Sequence, residues 1–173
     1  MKTYILIFLF FVFLTGCGGD NKITSVNYNL PPEPDPKINN TTLLGIDSNN
    51  NGIRDDIERK IVTQYEKPIE IEIMMGLAKL NQKILRNSPV NALKIEREIS
   101  KIGDCKMYLR RQGIRINNAI GNIENFTYNT KLRVKKFIQY NKSLGGGAYG
   151  SSPDNYNAKA CNFNVKQMLK DRK

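Results

Sequence analysis

From residue 53 to residue 144 the apolar residues recur at intervals of three and four, and that spacing leaves little choice of fold. It puts a stripe on one face of a helix, whereas a half-buried strand needs strict alternation. Ile53, Ile57, Ile61 and Tyr65 form the first stripe. Pro68 stands where a second helix starts, because a missing N–H is no loss in a first turn. Its stripe is Ile73, Leu77, Leu80 and Ile84, with Met74, Ala78 and Leu85 beside it. The Met74-Met75 pair reads as core filling. Ser88-Pro89 predicts the opening of a third helix, Ser as cap and Pro in the first turn. Ile95, Ile99, Ile102, Cys105 and Leu109 lie on its apolar face and Gly113 ends it. Ile116, Ala119, Ile120, Ile123 and Phe126 mark a short fourth helix. Asn129 is the expected cap of a fifth, which carries Val134, Phe137, Ile138 and Leu144 and stops at Gly145-Gly146-Gly147. The expectation is a mostly α fold, a small irregular bundle of about five helices within residues 43–173.

The chemistry such a bundle can carry is narrowed by composition. The 173 residues include no histidine and three cysteines. There is therefore no His general base, no Ser-His or Cys-His pair, and no His-ligated or four-cysteine zinc site. The triple glycine at 145–147 is not followed by Gly-Lys-Ser/Thr, so it is not a phosphate loop. Asp55, Asp56 and Glu58 could be imagined as a glycosidase carboxylate pair, but they stand in polar turn chemistry that suits an ion better. The expectation is a protein that is not an enzyme. The alternative is an envelope enzyme or enzyme inhibitor with its site near residues 145–160, since long loops carry such functions.

The amino terminus gives an address. Lys2 precedes an unbroken apolar run from Tyr4 to Leu14, too short for the roughly 20 residues of a membrane span but right for a signal peptide. The run ends in Leu14-Thr15-Gly16-Cys17. This tetrad resembles the lipobox of bacterial lipoproteins. The resemblance implies a signal peptide at 1–16, lipidation of Cys17, and anchoring in the cell envelope. Gly18, rather than Asp, favours the outer membrane over the inner by the same resemblance. Several acyl chains hold a protein on a bilayer stably where one does not. Residues 17–42 then read as a flexible tether, because their polar composition and Pro31-Pro32-Glu33-Pro34-Asp35-Pro36 cannot bury a core; the alternative is that part of the segment packs on the domain surface.

Residues 47–58 carry the sharpest pattern. Calcium takes six to eight oxygens, which a twelve-residue loop supplies from positions 1, 3, 5, 7, 9 and 12 around a glycine at 6. Here those positions hold Asp47, Asn49, Asn51, the Ile53 carbonyl, Asp55 and Glu58, with Gly52 at the turn. The loop resembles that of the EF-hand. It departs in having Arg54 at the eighth, normally apolar, position and in lacking an incoming helix. It is therefore more similar to the loop-then-helix motifs of dockerins and thrombospondin-type repeats. It also resembles uncharacterised bacterial envelope proteins with the same Asp-Ser-Asn-Asn-Asn-Gly-Ile-Arg-Asp-Asp-Ile-Glu loop, which bring no known activity. The implied cofactor is one weakly bound, structural Ca²⁺. Asp56, at position 10, is expected not to ligate, and Arg54 is expected to sit beside the ion and weaken it. The plain alternative is an Asn/Gly turn leading into a helix with an acidic first turn.

Cys105 and Cys161 are the two cysteines left after Cys17, in a chain expected in an oxidising space, and should pair. Charge is uneven: residues 17–87 hold 9 Lys/Arg against 10 Asp/Glu, and residues 88–173 hold 17 against 6. Arg110, Arg111 and Arg115, and Lys131, Arg133, Lys135 and Lys136, are expected to form basic faces. In an exported protein with few aromatics beside those charges, nucleic acid is excluded as a partner. An anionic envelope lipid or glycan is the better choice, next to the membrane itself through the lipid and a protein partner the sequence does not identify; the plain alternative is a solvated basic face with no partner.

Overall fold

The computed structural model describes residues 28–116, 120–147, 149 and 152–171. The signal peptide, Cys17, residues 18–27 and Ala119 lie outside the described residues, as does part of the 145–160 loop. Among the described residues there is no strand. The elements are α1 (Pro36–Asn39), α2 (Asp55–Gln64), α3 (Pro68–Arg86), α4 (Ala92–Arg111), α5 (Ile120–Thr127), α6 (Lys131–Ser143) and α7 (Val165–Lys170), with short 3₁₀ turns at Pro89–Asn91, Pro153–Asn155 and Ala158–Ala160.

Helix α3 is the axis of the bundle and touches α2, α4, α5, α6 and α7. Its apolar residues run almost all round it, as a central helix requires: Ile69, Ile71, Ile73, Met74, Leu77, Ala78, Leu80, Ile84 and Leu85 are all buried. The stripe Ile53, Ile57, Ile61, Tyr65 packs into the same core, with Ile102, Cys105 and Leu109 of α4 and Ile123 of α5. A smaller cluster of Ile84, Ala92, Ile95 and Tyr140 seats α6 against α3 and α4. Two tyrosines in this region keep their hydroxyls satisfied, Tyr128 donating to Asn81 Oδ1 at 2.6 Å and Tyr140 to Glu96 Oε2 at 2.7 Å. The Tyr128 and Phe137 rings stack 4.2 Å apart. Cys105 and Cys161 are joined, with Cα atoms 4.9 Å apart, and the link holds the Ala158–Ala160 turn on α4.

Several expectations need correction. The third helix does not open at Ser88: Pro89–Asn91 forms a 3₁₀ turn, α4 begins at Ala92, and the Ser88 side chain caps nothing. The cap of α6 is Thr130, whose hydroxyl accepts from Arg133 N, while Asn129 bonds the Arg133 side chain instead. Val134 and Ile138 face solvent, because the buried face of α6 is the Arg133–Phe137–Tyr140 side. Residues 28–42 do not stand off as a tether. Pro31, Pro34 and Asn39 are buried, Asp35 caps α1, and Arg59 donates to Glu33 Oε2 at 2.6 Å and to the Pro31 carbonyl at 2.9 Å. Composition argued against a core here, but this segment packs on a core built by others and contributes carbonyls for arginines to hold.

Gly45 shows how tight that packing is. It sits at φ +71°, and a Cβ there would lie 2.3 Å from Arg54 Cδ and 2.9 Å from Arg133 Nη2. Gly45→Ala is expected to lower stability by about 2–3 kcal/mol, combining left-handed backbone strain with displacement of two buried arginines. Urea unfolding checks it, with Gly145→Ala as comparison: that glycine has a similar φ of +63° and open space around its Cβ position. Equal losses in the two would show that the backbone alone matters.

Candidate metal centre

The loop at 47–58 owes its shape to its own side chains. Asp47 Oδ1 accepts from Asn51 N at 3.1 Å and Oδ2 from Gly52 N at 3.0 Å. Asn49 Oδ1 accepts from Asn51 N at 3.2 Å, and Asn51 Oδ1 from Ile53 N at 2.8 Å. These are Asx-type turns, in which short polar side chains satisfy amides two to five residues on. Asn50 has φ +56° and Gly52 φ +92°, so the chain reverses through two left-handed residues. Asp55 closes the turn by accepting Ser48 N on both oxygens, at 3.0 and 3.2 Å, and its own amide donates to the Ile46 carbonyl.

Three of the expected ligand residues meet. Asn49 Nδ2 donates to Glu58 Oε2 at 3.2 Å, and Asn51 Nδ2 donates to Glu58 Oε1. Positions 3, 5 and 12 of the loop therefore meet at one point. Burial pushes the Glu58 carboxyl above its usual range; the two amide bonds pull it back, and the charges of Asp55 and Asp47 push it up again. Asp55 and Glu58 are both buried, and among the described residues neither makes an ion pair. Asp47 is held by Arg86, whose Nη2 lies 2.9 Å from its Oδ2. The donor set of three carboxylates, two amide oxygens and the Ile53 carbonyl fits a hard, oxygen-seeking cation in kind and number. Among the described residues no group of three or more His, Cys, Asp or Glu side chains could hold a metal ion by itself. An ion would need the amide and carbonyl oxygens as well, with both asparagine amides turned so that oxygen rather than NH₂ faces Glu58.

Arg54 is not beside the loop's donors. Its guanidinium is fully buried and points the other way, donating to Asp56 Oδ1 at 2.5 Å and Oδ2 at 3.1 Å, and to the carbonyls of Phe126 at 2.7 Å and Thr127 at 3.3 Å. It therefore caps the carbonyl end of α5 and ties it to the start of α2. Asp56 is accordingly a structural counter-ion: burial alone would raise its carboxyl, but Arg54 and a bond from Asn39 hold it below the usual range. The apolar position of the loop is filled by an arginine because two α5 carbonyls and Asp56 give it partners. Arg54's departure from the loop pattern was the one sequence signal of this. Arg86, 39 residues from Asp47, left no local signal at all.

Arg133 does not belong to a basic surface either. It is fully buried and spends all its donors on residues 39–43 and Asn129: Leu43 O at 3.0 Å, Asn40 Oδ1 at 2.9 Å, Asn129 Oδ1 at 2.6 Å, Asn39 O at 2.7 Å and Thr42 O at 3.1 Å. Burial, then the nearby Arg54 charge, lowers its pKa to about 10, which leaves it charged at neutral pH. Near the C-terminal segment a shallow cleft of about 150 Å³ is lined by Ala158, Lys159, Phe163, Asn164, Val165 and Lys166. It offers two ammonium groups and no carboxylate or nucleophile. Compared with known proteins, the chain matches no family profile, and neither a curated protein nor a solved structure resembles it significantly.

Proposed function

We propose that this is a lipid-anchored protein of the bacterial cell envelope, a binding or structural module whose amino-terminal loop takes one structural Ca²⁺. Asp47, Asn49, Asn51, Asp55, Glu58 and the Ile53 carbonyl would hold the ion. Bound there, it would supply positive charge to a buried acidic turn. The observation that carries this reading is the burial of Asp55 and Glu58 without a cationic partner. A buried carboxylate is costly to desolvate and is held by a cation, a metal or hydrogen bonds, and the donors to these two are neutral amides alone. The loop opens directly into α2, so ordering it orders the first turn of the first long helix.

The test is thermal unfolding in EDTA, Ca²⁺ and Mg²⁺. A site of the weak extracellular class has a Kd of about 10⁻⁴–10⁻³ M. Calcium at about 10 mM should then add roughly 1.4–2.7 kcal/mol. That is a rise of roughly 3–10 °C in a domain of this size. Glu58→Gln should remove most of the rise and Ser48→Ala, at an exposed non-ligating position, should leave it. Arg86→Ala should raise calcium affinity about two- to five-fold, since it frees Asp47 from a half-exposed ion pair. Mg²⁺ should do little, as it demands tighter octahedral geometry. An identical transition in EDTA and Ca²⁺ would leave the loop as a turn and helix start only.

The anchor has its own measurement. Mass spectrometry of the mature protein should find an acylated Cys17 as the first residue. An unmodified start elsewhere would remove the envelope anchoring and leave the calcium reading intact.

A further inference from the structure

We propose that the outward face of α6 lies flat on an anionic lipid surface. The buried side of this helix is Arg133, Phe137 and Tyr140. One hundred degrees per residue then places Lys131, Lys135 and Lys142 in the middle of the opposite side, with Ile138 and Val134 towards one edge and Leu132 towards the other. There Val134 and Ile138, a turn apart, are 41% and 48% exposed, and Leu132 on the flank is 53% exposed. The three lysines between these edges are exposed.

Charge selects the occupant. Between Glu124 and Asp154 the sequence has no acidic residue and five basic ones, of which only Arg133 is buried. A second copy of the same face would meet lysine with lysine, so self-association is disfavoured. A row of long lysines edged by exposed apolar side chains suits a headgroup layer: the ammonium groups sit among phosphates and the edge methyl groups reach the acyl boundary. The positioning rests on the lipid-anchored reading. Eleven chain steps separate Cys17 from Tyr28, which packs on the core, and they span at most about 36–40 Å. A domain held that close meets the bilayer repeatedly, so weak surface contact suffices to orient it. The intrinsic affinity does not rest on that reading and is measured without the anchor.

The experiment uses the chain from residue 17 with Cys17→Ser, so that no acyl group contributes. Co-sedimentation with vesicles containing phosphatidylglycerol, against pure phosphatidylcholine vesicles, should show binding to the anionic ones only, falling steeply with added salt. The triple variant Lys131→Gln, Lys135→Gln, Lys142→Gln should bind roughly a hundred-fold more weakly, at about five-fold per charge. Val134→Asn with Ile138→Asn should lose roughly five- to ten-fold at unchanged net charge. All five positions are exposed, and unchanged melting of each variant verifies the fold. The comparison variant Lys159→Gln, Lys166→Gln, Lys170→Gln removes the same charge from another exposed region and should lose far less. No binding to anionic vesicles, equal binding to both vesicle types, equal losses in the two lysine triples, or no loss in the apolar pair would each overturn the proposal. An acidic protein or glycan as the true occupant would show as the first of these. A negative vesicle result leaves the Cys17 mass measurement untouched, so failure of the face and failure of the anchor are told apart.

Discussion

Arg133→Met should lower stability by about 3–5 kcal/mol, a large fraction of what a domain of this size possesses. The side chain fills a fully buried position and satisfies three backbone carbonyls and two asparagine oxygens. Methionine matches its length and apolar stem but makes none of those bonds. Each buried acceptor left without a donor costs about 1–3 kcal/mol, part of which water entry at the partly exposed Asn40 and Asn129 recovers. Removing a charge 0% exposed and close to Arg54 offsets some of the loss, which is why the expected figure is below the sum. Arg133→Lys should recover little, since one ammonium has three donors and cannot span five acceptors. Chemical unfolding gives the magnitude. Amide exchange gives the place: Ile46 N, held by Asn39 Oδ1 at 2.8 Å, should lose protection before α3 does. A loss below about 1 kcal/mol would mean that residues 39–43 hold their course without the guanidinium.

The second large effect belongs to the disulfide. Cys105 and Cys161 are 56 positions apart, and closing a loop of that length removes about 4 kcal/mol of chain entropy from the unfolded state. Cys105→Ser with Cys161→Ser should therefore lower the melting temperature by roughly 8–16 °C. The same fall should appear when the natural chain is unfolded in reductant, and reductant should not shift the double variant further. The damage should start at the C-terminal segment. Phe163, Val165, Met168 and Leu169 pack on the main core, but α7 has only six residues and depends on that packing and on the link behind it. Reductant without effect on the natural chain would show that the segment is held by its apolar contacts alone.

The bundle itself was legible because its information is local. A period of three to four over Ile53 to Tyr65 and Ile73 to Leu85 places each stripe on one face, and one buried face is what a helix in a bundle needs. The cysteine pair was legible by elimination, and the turn at 47–58 by its own Asx and glycine chemistry. Each of these follows from residues within a few positions of one another or from counting.

What tertiary structure decided is where the charges go. Arg54 was expected beside the ion and Arg133 on a basic face, and Arg86 carried no expectation, yet one caps α5, one clamps residues 39–43 and one guards Asp47. Their acceptors are carbonyls and carboxylates up to 94 positions away, and no local pattern marks an acceptor before the chain has folded. The same holds for Val134 and Ile138, which satisfy a helical period and still face outward. Periodicity says that two residues share a face, and only the packing of α6 on α3 and α4 says which face is covered.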